Sequence, residues 1–208
     1  MRRDRGSSWR LVAFGVVACA CAAGSAARAD ASRAKPRTAV AVLAGGCYWG
    51  VESVFRHVRG VISVTSGYAS PAPASGDPSP PHAEAVRVVY DSTRISYRRI
   101  LDIFFTVVHD PTQVDRQGPD VGPEYRSIVF VDGDRQRDVV RSYIDSLSAA
   151  HVYPAPIATR IAALRVFDAV DASQQNFAAR HPTDPYIVVN DAPKLEALRR
   201  RFPQLYRD

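Results

Sequence analysis

Cys47 offers the most chemistry: it follows Gly45-Gly46 at the point where strand spacing gives way to helix spacing. The first N–H groups of a helix lack internal partners and carry partial positive charge. A thiol placed there is expected to ionise more easily, and the thiolate is the nucleophilic form. The two glycines permit a tight turn and leave backbone open to a ligand. An inert, buried cysteine is the alternative for any lone thiol. Tyr48 and Trp49 adjoin it and offer apolar walls for a small group, or core packing alone. Glu84 is the second candidate. Under two-residue alternation it shares a strand face with Val86, Val88 and Tyr90. A carboxyl ending an apolar stripe is expected to be desolvated, so its pKa rises and it becomes a proton donor. An exposed strand-end glutamate is the alternative.

The elements that must position these groups are legible as alternating patterns. Residues 38–44 form a continuous apolar, β-branched run that fits a strand buried on both faces. From Cys47 the spacing of Val51, Val54, Phe55 and Val58 predicts a helix, with Glu52 and Arg56 four apart on another face. Residues 61–68 and 82–90 read as strands, joined through a Pro-rich surface loop at 70–81. Ser96 is a candidate N-cap for a helix whose stripe is Tyr97, Ile100, Leu101, Phe104 and Val108. The long polar segment 109–125 is marked by Gly and Pro, and loops of that length in compact domains tend to be functional. Strands are expected at 127–131 and 157–167, and helices at 135–149, 171–180 and 192–201. Strands alternating with helices indicate an α/β or α+β layer fold.

The chain has 208 residues, three Cys and a formal charge of +6. Residues 1–29 account for much of this. Arg2, Arg3, Arg5 and Arg10 precede an apolar run at 11–23, and Ala27-Arg28-Ala29 follows, the order of a secretory signal peptide. We expect cleavage there and an exported, periplasmic protein, with 30–37 a short extension and 38–208 a single domain. Val16-Val17-Ala18-Cys19 is the alternative, a lipobox that would anchor the chain through Cys19. Residues 1–29 hold five Arg and one Asp, so residues 30–208 carry only +2 and one cysteine, Cys47. That excludes a disulfide scaffold and gives no ligand spacing for a metal. Arg199-Arg200-Arg201 sits near a helix C-terminus, where cations suit the dipole, so nucleic-acid binding has no support.

Taken together, several segments resemble the A-type peptide methionine sulfoxide reductases. They are Gly46-Cys47-Tyr48-Trp49-Gly50-Val51-Glu52, Gly67-Tyr68, His82-Ala83-Glu84, Ile95-Ser96-Tyr97, His109-Asp110-Pro111-Thr112-Gln113, Arg116 to Gly122, and Tyr125-Arg126-Ser127. The stretch from Pro185-Tyr186-Ile187 to Phe202-Pro203 is also similar, and the likeness spans roughly 38–206. The resemblance implies a two-layer α/β sandwich, with a mixed sheet, flanking helices and a wrapping C-terminal segment. It implies reduction of (S)-methionine sulfoxide, free or in oxidised proteins. Cys47 would be the nucleophile and Glu84 the acid. Tyr48 and Trp49 would hold the substrate methyl, Tyr48 standing where Phe is usual. Tyr125 would bond the sulfoxide oxygen, and Asp120 would orient the polar side.

The segment between Gly-Tyr and His-Ala-Glu is shorter than is usual and lacks a Tyr, so Tyr68 is expected to compensate. Family members often carry C-terminal resolving cysteines. Here none is present, so the Cys47 sulfenic acid is expected to be reduced by an external thiol, thioredoxin-like, glutaredoxin-like or small, with no bound cofactor and a monomeric enzyme. Two other classes fit a lone thiol: a cysteine hydrolase or acyl-transferase, which needs one of His57, His82, His109, His151 or His181 beside Cys47, and an inactive binder of oxidised proteins.

Overall fold

A computed structural model describes residues 37–72 and 82–208. The export segment, the Cys19 alternative and most of the Pro-rich loop lie outside the described residues. In chain order the elements are β1 (Thr38–Ala44), α1 (Tyr48–Arg56), β2 (Val61–Pro71), β3 (Ala83–Asp91) and α2 (Tyr97–Ile103), which runs into a π-turn, Phe104–Val108. There follow β4 (Arg116–Gln117), β5 (Asp120–Val121), a 3-10 turn (Pro123–Tyr125), β6 (Ile128–Val131), α3 (Asp134–Ala149) and β7 (Arg160–Ala169). The chain closes with α4 (Phe177–Arg180), a second π-turn (Ile187–Asp191) and α5 (Ala192–Arg201).

The strands pair in the order β1-β3-β2-β7-β6, and β6 returns to β1. The mixed character is as expected: β6 and β7 are parallel, joined by the α3 crossover, and the other pairs are antiparallel. The simple two-layer sandwich is not what forms. Because β6 pairs with both β1 and β7, the sheet closes into a five-stranded barrel. Eight strands enclose just enough room for ordinary side chains, so five leave less. The inner face is accordingly small: Ala44, Ala69, Ala83 and Ala85 with Val42, Ile128 and Phe130. At Gly67 a Cβ would lie 2.4 Å from the Asp168 carbonyl and 2.7 Å from the Phe167 ring, so only glycine lets β2 and β7 approach.

The opposite face of the strands carries the main core. Leu43, Val86 and Val88 pack with Val51, Val54 and Phe55 of α1 and with Ile100, Leu101 and Phe104, all buried. Ser96 caps α2 as expected, its side chain accepting from Arg99 N at 3.2 Å. The helix expected at 171–180 shrinks to Phe177–Arg180. Gln175 Nε2 is committed to the Ser66 and Val170 carbonyls and Asn176 turns left-handed (φ +54°), which replaces helix by an anchored turn. The 157–167 strand forms at Arg160–Ala169.

Candidate active site

Cys47 is the N-cap residue of α1, with φ −51° and ψ 124°, at the end of the β1–α1 turn. Gly46 has φ +91°, and a Cβ there would lie 2.6 Å from Gln117, so the turn depends on glycine. The thiol is 8% exposed. The expected ease of ionisation is reversed: burial and then the charge of Glu84 push the thiol up to about 12, with Asp191 adding to the rise. The Trp49 N–H and the Tyr186 hydroxyl oppose that rise, although Sγ makes no full capping hydrogen bond. A helix start offers only part of a charge, whereas desolvation disfavours the whole thiolate.

Glu84 behaves as the sequence predicts. It is 8% exposed on the face it shares with Val86, Val88 and Tyr90, all buried. Its Oε2 accepts the Tyr48 N–H at 3.1 Å, beside the thiol. Burial outweighs that one hydrogen bond, and Asp120 and Glu124 add repulsion, so the carboxyl rises to about 7. About half of it is therefore neutral at pH 7.

The remaining walls are aromatic. Tyr48 meets Tyr68 edge-on at 6.0 Å and lies 6.2 Å from Trp49. Burial and the Glu84 charge raise Tyr48, Tyr68 and Tyr125, the last to about 12, so their hydroxyls remain donors. Four residues that sequence reasoning did not single out complete this side. Phe177 stacks on Trp49 at 3.9 Å, and Gln174 Oε1 accepts the Trp49 indole N–H at 3.2 Å. Tyr186 stands edge-on to Trp49 at 5.9 Å and donates to Asp120 at 2.5 Å. Asp191, buried and paired with Lys194 at 3.0 Å, fills the space over Gly50, where a Cβ would lie 2.1 Å from its carboxylate. The Pro185-Tyr186-Ile187 triplet was the one sequence signal for any of them.

The 109–125 segment is built to hold Asp120 and Tyr125. Asp110 accepts from Thr112 N and Oγ1 (2.9 and 2.7 Å), Gln117 Nε2 donates to the Asp110 carbonyl (2.9 Å), and Gly118 N donates to Gln113 (2.9 Å). Arg126 reaches back to the His82 carbonyl at 2.9 Å, which fixes the turn against the start of β3.

A family model for peptide methionine sulfoxide reductase matches residues 39–205. Peptide methionine sulfoxide reductase MsrA 2 of Mesorhizobium japonicum is 43% identical over 180 residues, covering 84% of this chain and 92% of that protein. The MsrA of Natronomonas pharaonis is 44% identical over 175 residues, covering 80% and 97%. The chain belongs to the A-type peptide methionine sulfoxide reductases. Among solved structures, methionine sulfoxide reductase A of Corynebacterium diphtheriae matches with a TM-score of 0.58 at 29% identity, over 73% of this chain and 79% of that one. Reduced Mxr1 of Saccharomyces cerevisiae matches at 0.61 and 26%, over 71% and 87%. The protein is thus an oxidoreductase, a peptide-methionine (S)-S-oxide reductase.

No histidine is among the groups that shift the Cys47 thiol, whereas a hydrolase requires one beside it. His109 is spent on structure: Nδ1 meets the Phe104 carbonyl at 3.0 Å and Nε2 meets Ser127 Oγ at 2.7 Å. Burial holds it down at about 4. His57 packs on Tyr206 and His82 on Tyr68.

Proposed function

We propose that Cys47 attacks the sulfoxide sulfur while Glu84 protonates its oxygen. The observation that supports this is the Glu84 carboxyl, held at the Tyr48 N–H beside the thiol with no cation among the groups that set its pKa. Oxide is a poor leaving group, so attack needs a proton at the oxygen. The reactive state is thiol plus carboxylic acid. The Glu84 proton goes to the sulfoxide oxygen, Sγ bonds to the substrate sulfur, and the thiol proton passes to the Glu84 carboxylate, restoring the acid. The hydroxyl then moves to Sγ as both the substrate S–O bond and the new bond between Sγ and the substrate sulfur break, leaving an electron pair on the substrate sulfur. Methionine leaves two electrons richer, and Cys47 is left as a sulfenic acid. Tyr48 and Trp49, backed by Phe177, hold the methyl group. Tyr125 and Tyr68 donate to the oxygen, and Asp120 orients this polar side.

An external thiol then attacks the sulfenic sulfur and releases water, and a second thiol resolves the mixed disulfide. This follows from Cys47 being the one cysteine of residues 30–208. The reductant is thioredoxin-like, glutaredoxin-like or a small thiol. Clients are free or protein-bound methionine sulfoxide. The basic and apolar pattern of residues 1–29 supports export to the periplasm, with lipidation at Cys19 as the competing outcome; intact mass of the purified chain separates a start near Asp30 from one at Cys19. The central test is epimer-resolved reduction by wild type and Cys47→Ser. Loss of the S-epimer by the wild type alone is expected, and full activity in the variant contradicts the reading. Mass spectrometry after one turnover without reductant should find one oxygen on Cys47; an intramolecular disulfide would contradict it.

A further inference from the structure

The wall behind Trp49 is carried by an irregular turn, residues 171–176, between β7 and α4. The turn supplies Gln174, which accepts the Trp49 indole N–H at 3.2 Å. It also delivers Phe177, which stacks on the indole at 3.9 Å with 11° between the ring planes and meets the His181 ring at 4.3 Å. Asn176 is left-handed (φ +54°), a conformation that persists only where surrounding contacts over-determine it. Three carbonyls of the turn converge on one point, and the Arg180 guanidinium occupies it. Nη2 donates to Ala172 at 3.3 Å, to Gln175 at 2.7 Å and to Ser173, and Nε donates to Gln175 at 3.1 Å. The Arg180 N–H donates to the Asn176 carbonyl at 3.2 Å, so one helical turn returns the side chain over the segment it holds.

We infer that Arg180 is a positioning residue for the methyl pocket: its guanidinium closes the carbonyl-lined turn, holds Gln174 and Phe177 against Trp49, and so sets the size of alkyl group the site accepts. Other contacts divide the work differently. Gln175 pairs with the Ser66 backbone in both directions, at 2.9 and 2.8 Å, and Glu52 accepts the Asn176 N–H at 2.8 Å. These fix where the turn sits against β2 and α1. Arg180 bonds only to the turn itself, so it fixes the internal shape and with it the spacing of Gln174 and Phe177. The indole has its acceptor and its stacking ring on this one segment, so a loosened turn frees it to tilt. Cys47 and Glu84 stand on α1 and β3 and keep their places. A planar fork suits several converging carbonyls, whereas a lysine offers a single point of charge.

The inference rests on Trp49 lining the methyl pocket, and the test separates the two. Trp9 and Trp49 are the two tryptophans of the chain, so in a Trp9→Phe background fluorescence reports Trp49 alone. Arg180→Ala in that background should shift the emission to the red and strengthen quenching by acrylamide, whatever the enzyme turns over. KM for methionine (S)-sulfoxide should rise about threefold to tenfold with kcat steady, the value of a lost hydrogen bond at the wall. Selectivity is the sharper readout. One extra methylene is worth about tenfold or more in a well-shaped apolar pocket, so the wild type should prefer methionine to ethionine sulfoxide by that factor in kcat/KM, and Arg180→Ala by about threefold or less. A role in stability alone would affect both substrates equally. Millimolar guanidinium should restore the selectivity of Arg180→Ala, and methylammonium should not. Unchanged emission, or selectivity that stays at the wild-type ratio, would overturn the inference. Wild-type KM and selectivity in Trp49→Leu would instead overturn the reading of Trp49 as the pocket wall. Should Arg180→Ala fail to fold, Arg180→Lys keeps the charge without the fork and decides by the same two readouts.

Discussion

Two buried glutamates, Glu52 on α1 and Glu84 on β3, are treated in opposite ways. Glu52, 1% exposed, is fully partnered. Arg56 pairs with Oε1 at 2.9 Å, Ser66 Oγ donates to Oε2 at 2.9 Å, and Asn176 N donates to Oε2 at 2.8 Å. That carboxylate staples α1 to β2 and to the C-terminal wall carrying Gln174 and Phe177. Glu84, 8% exposed, has a single backbone N–H at 3.1 Å and two carboxylate neighbours, Asp120 and Glu124. A carboxyl given a cation and several donors is held in place; one given almost nothing and buried, as Glu84 is, keeps its proton near neutrality. The number of partners separates the structural group from the reactive one.

Exchanging each carboxyl for an amide should have opposite consequences at the two positions. Glu84→Gln should lower single-turnover reduction about 10²- to 10⁴-fold, the usual worth of a general acid, with folding intact. Glu52→Gln should leave chemistry in place but cost about 2–3 kcal/mol of stability, read by urea denaturation, because charge-assisted bonds are lost inside the fold. Stability should also respond to pH with a definite sign. Glu84 moves from 4.5 to about 7 on folding, so the folded state holds its proton more tightly. Its contribution is full below about 4.5, declines as pH rises to about 7, and amounts to something on the order of 3 kcal/mol. Glu84→Gln should flatten that decline in a melting series. Tyr125→Phe removes one donor to the oxygen and should cost about tenfold in kcat. The smallest effect is Gln174→Ala: Trp49 loses its indole hydrogen bond, and KM should rise about threefold to tenfold with kcat steady.

How much of this could be read from the sequence depended on how local the cause was. Strand β1, the start of α1 at Cys47, the Ser96 cap and the Glu84 stripe follow from neighbouring residues, and all formed as expected. The Glu52–Arg56 pair was visible from its spacing of four, yet its burial was not, because Ser66 and Asn176 arrive from other elements. Barrel closure needs β6 beside β1, residues such as Val42 and Phe130, which no local pattern announces. The Trp49 wall is assembled from partners such as Gln174, far along the chain. The thiol was misjudged for the same reason. The helix start is a local feature and points to a low pKa, while the burial that wins comes from the loop and C-terminal segment folded over it.

The pH dependence of kcat/KM for methionine (S)-sulfoxide reads the Glu84 proton itself, since it reports ionisation in the free enzyme. With Glu84, which has no cation beside it, as the acid, kcat/KM should be level below about 7 and fall tenfold per pH unit above it. The same plot for Glu84→Gln should be low and level. A wild-type profile that stays flat or rises between pH 7 and 9, or a Glu84→Gln profile that keeps the wild-type limb, would contradict the role given to Glu84.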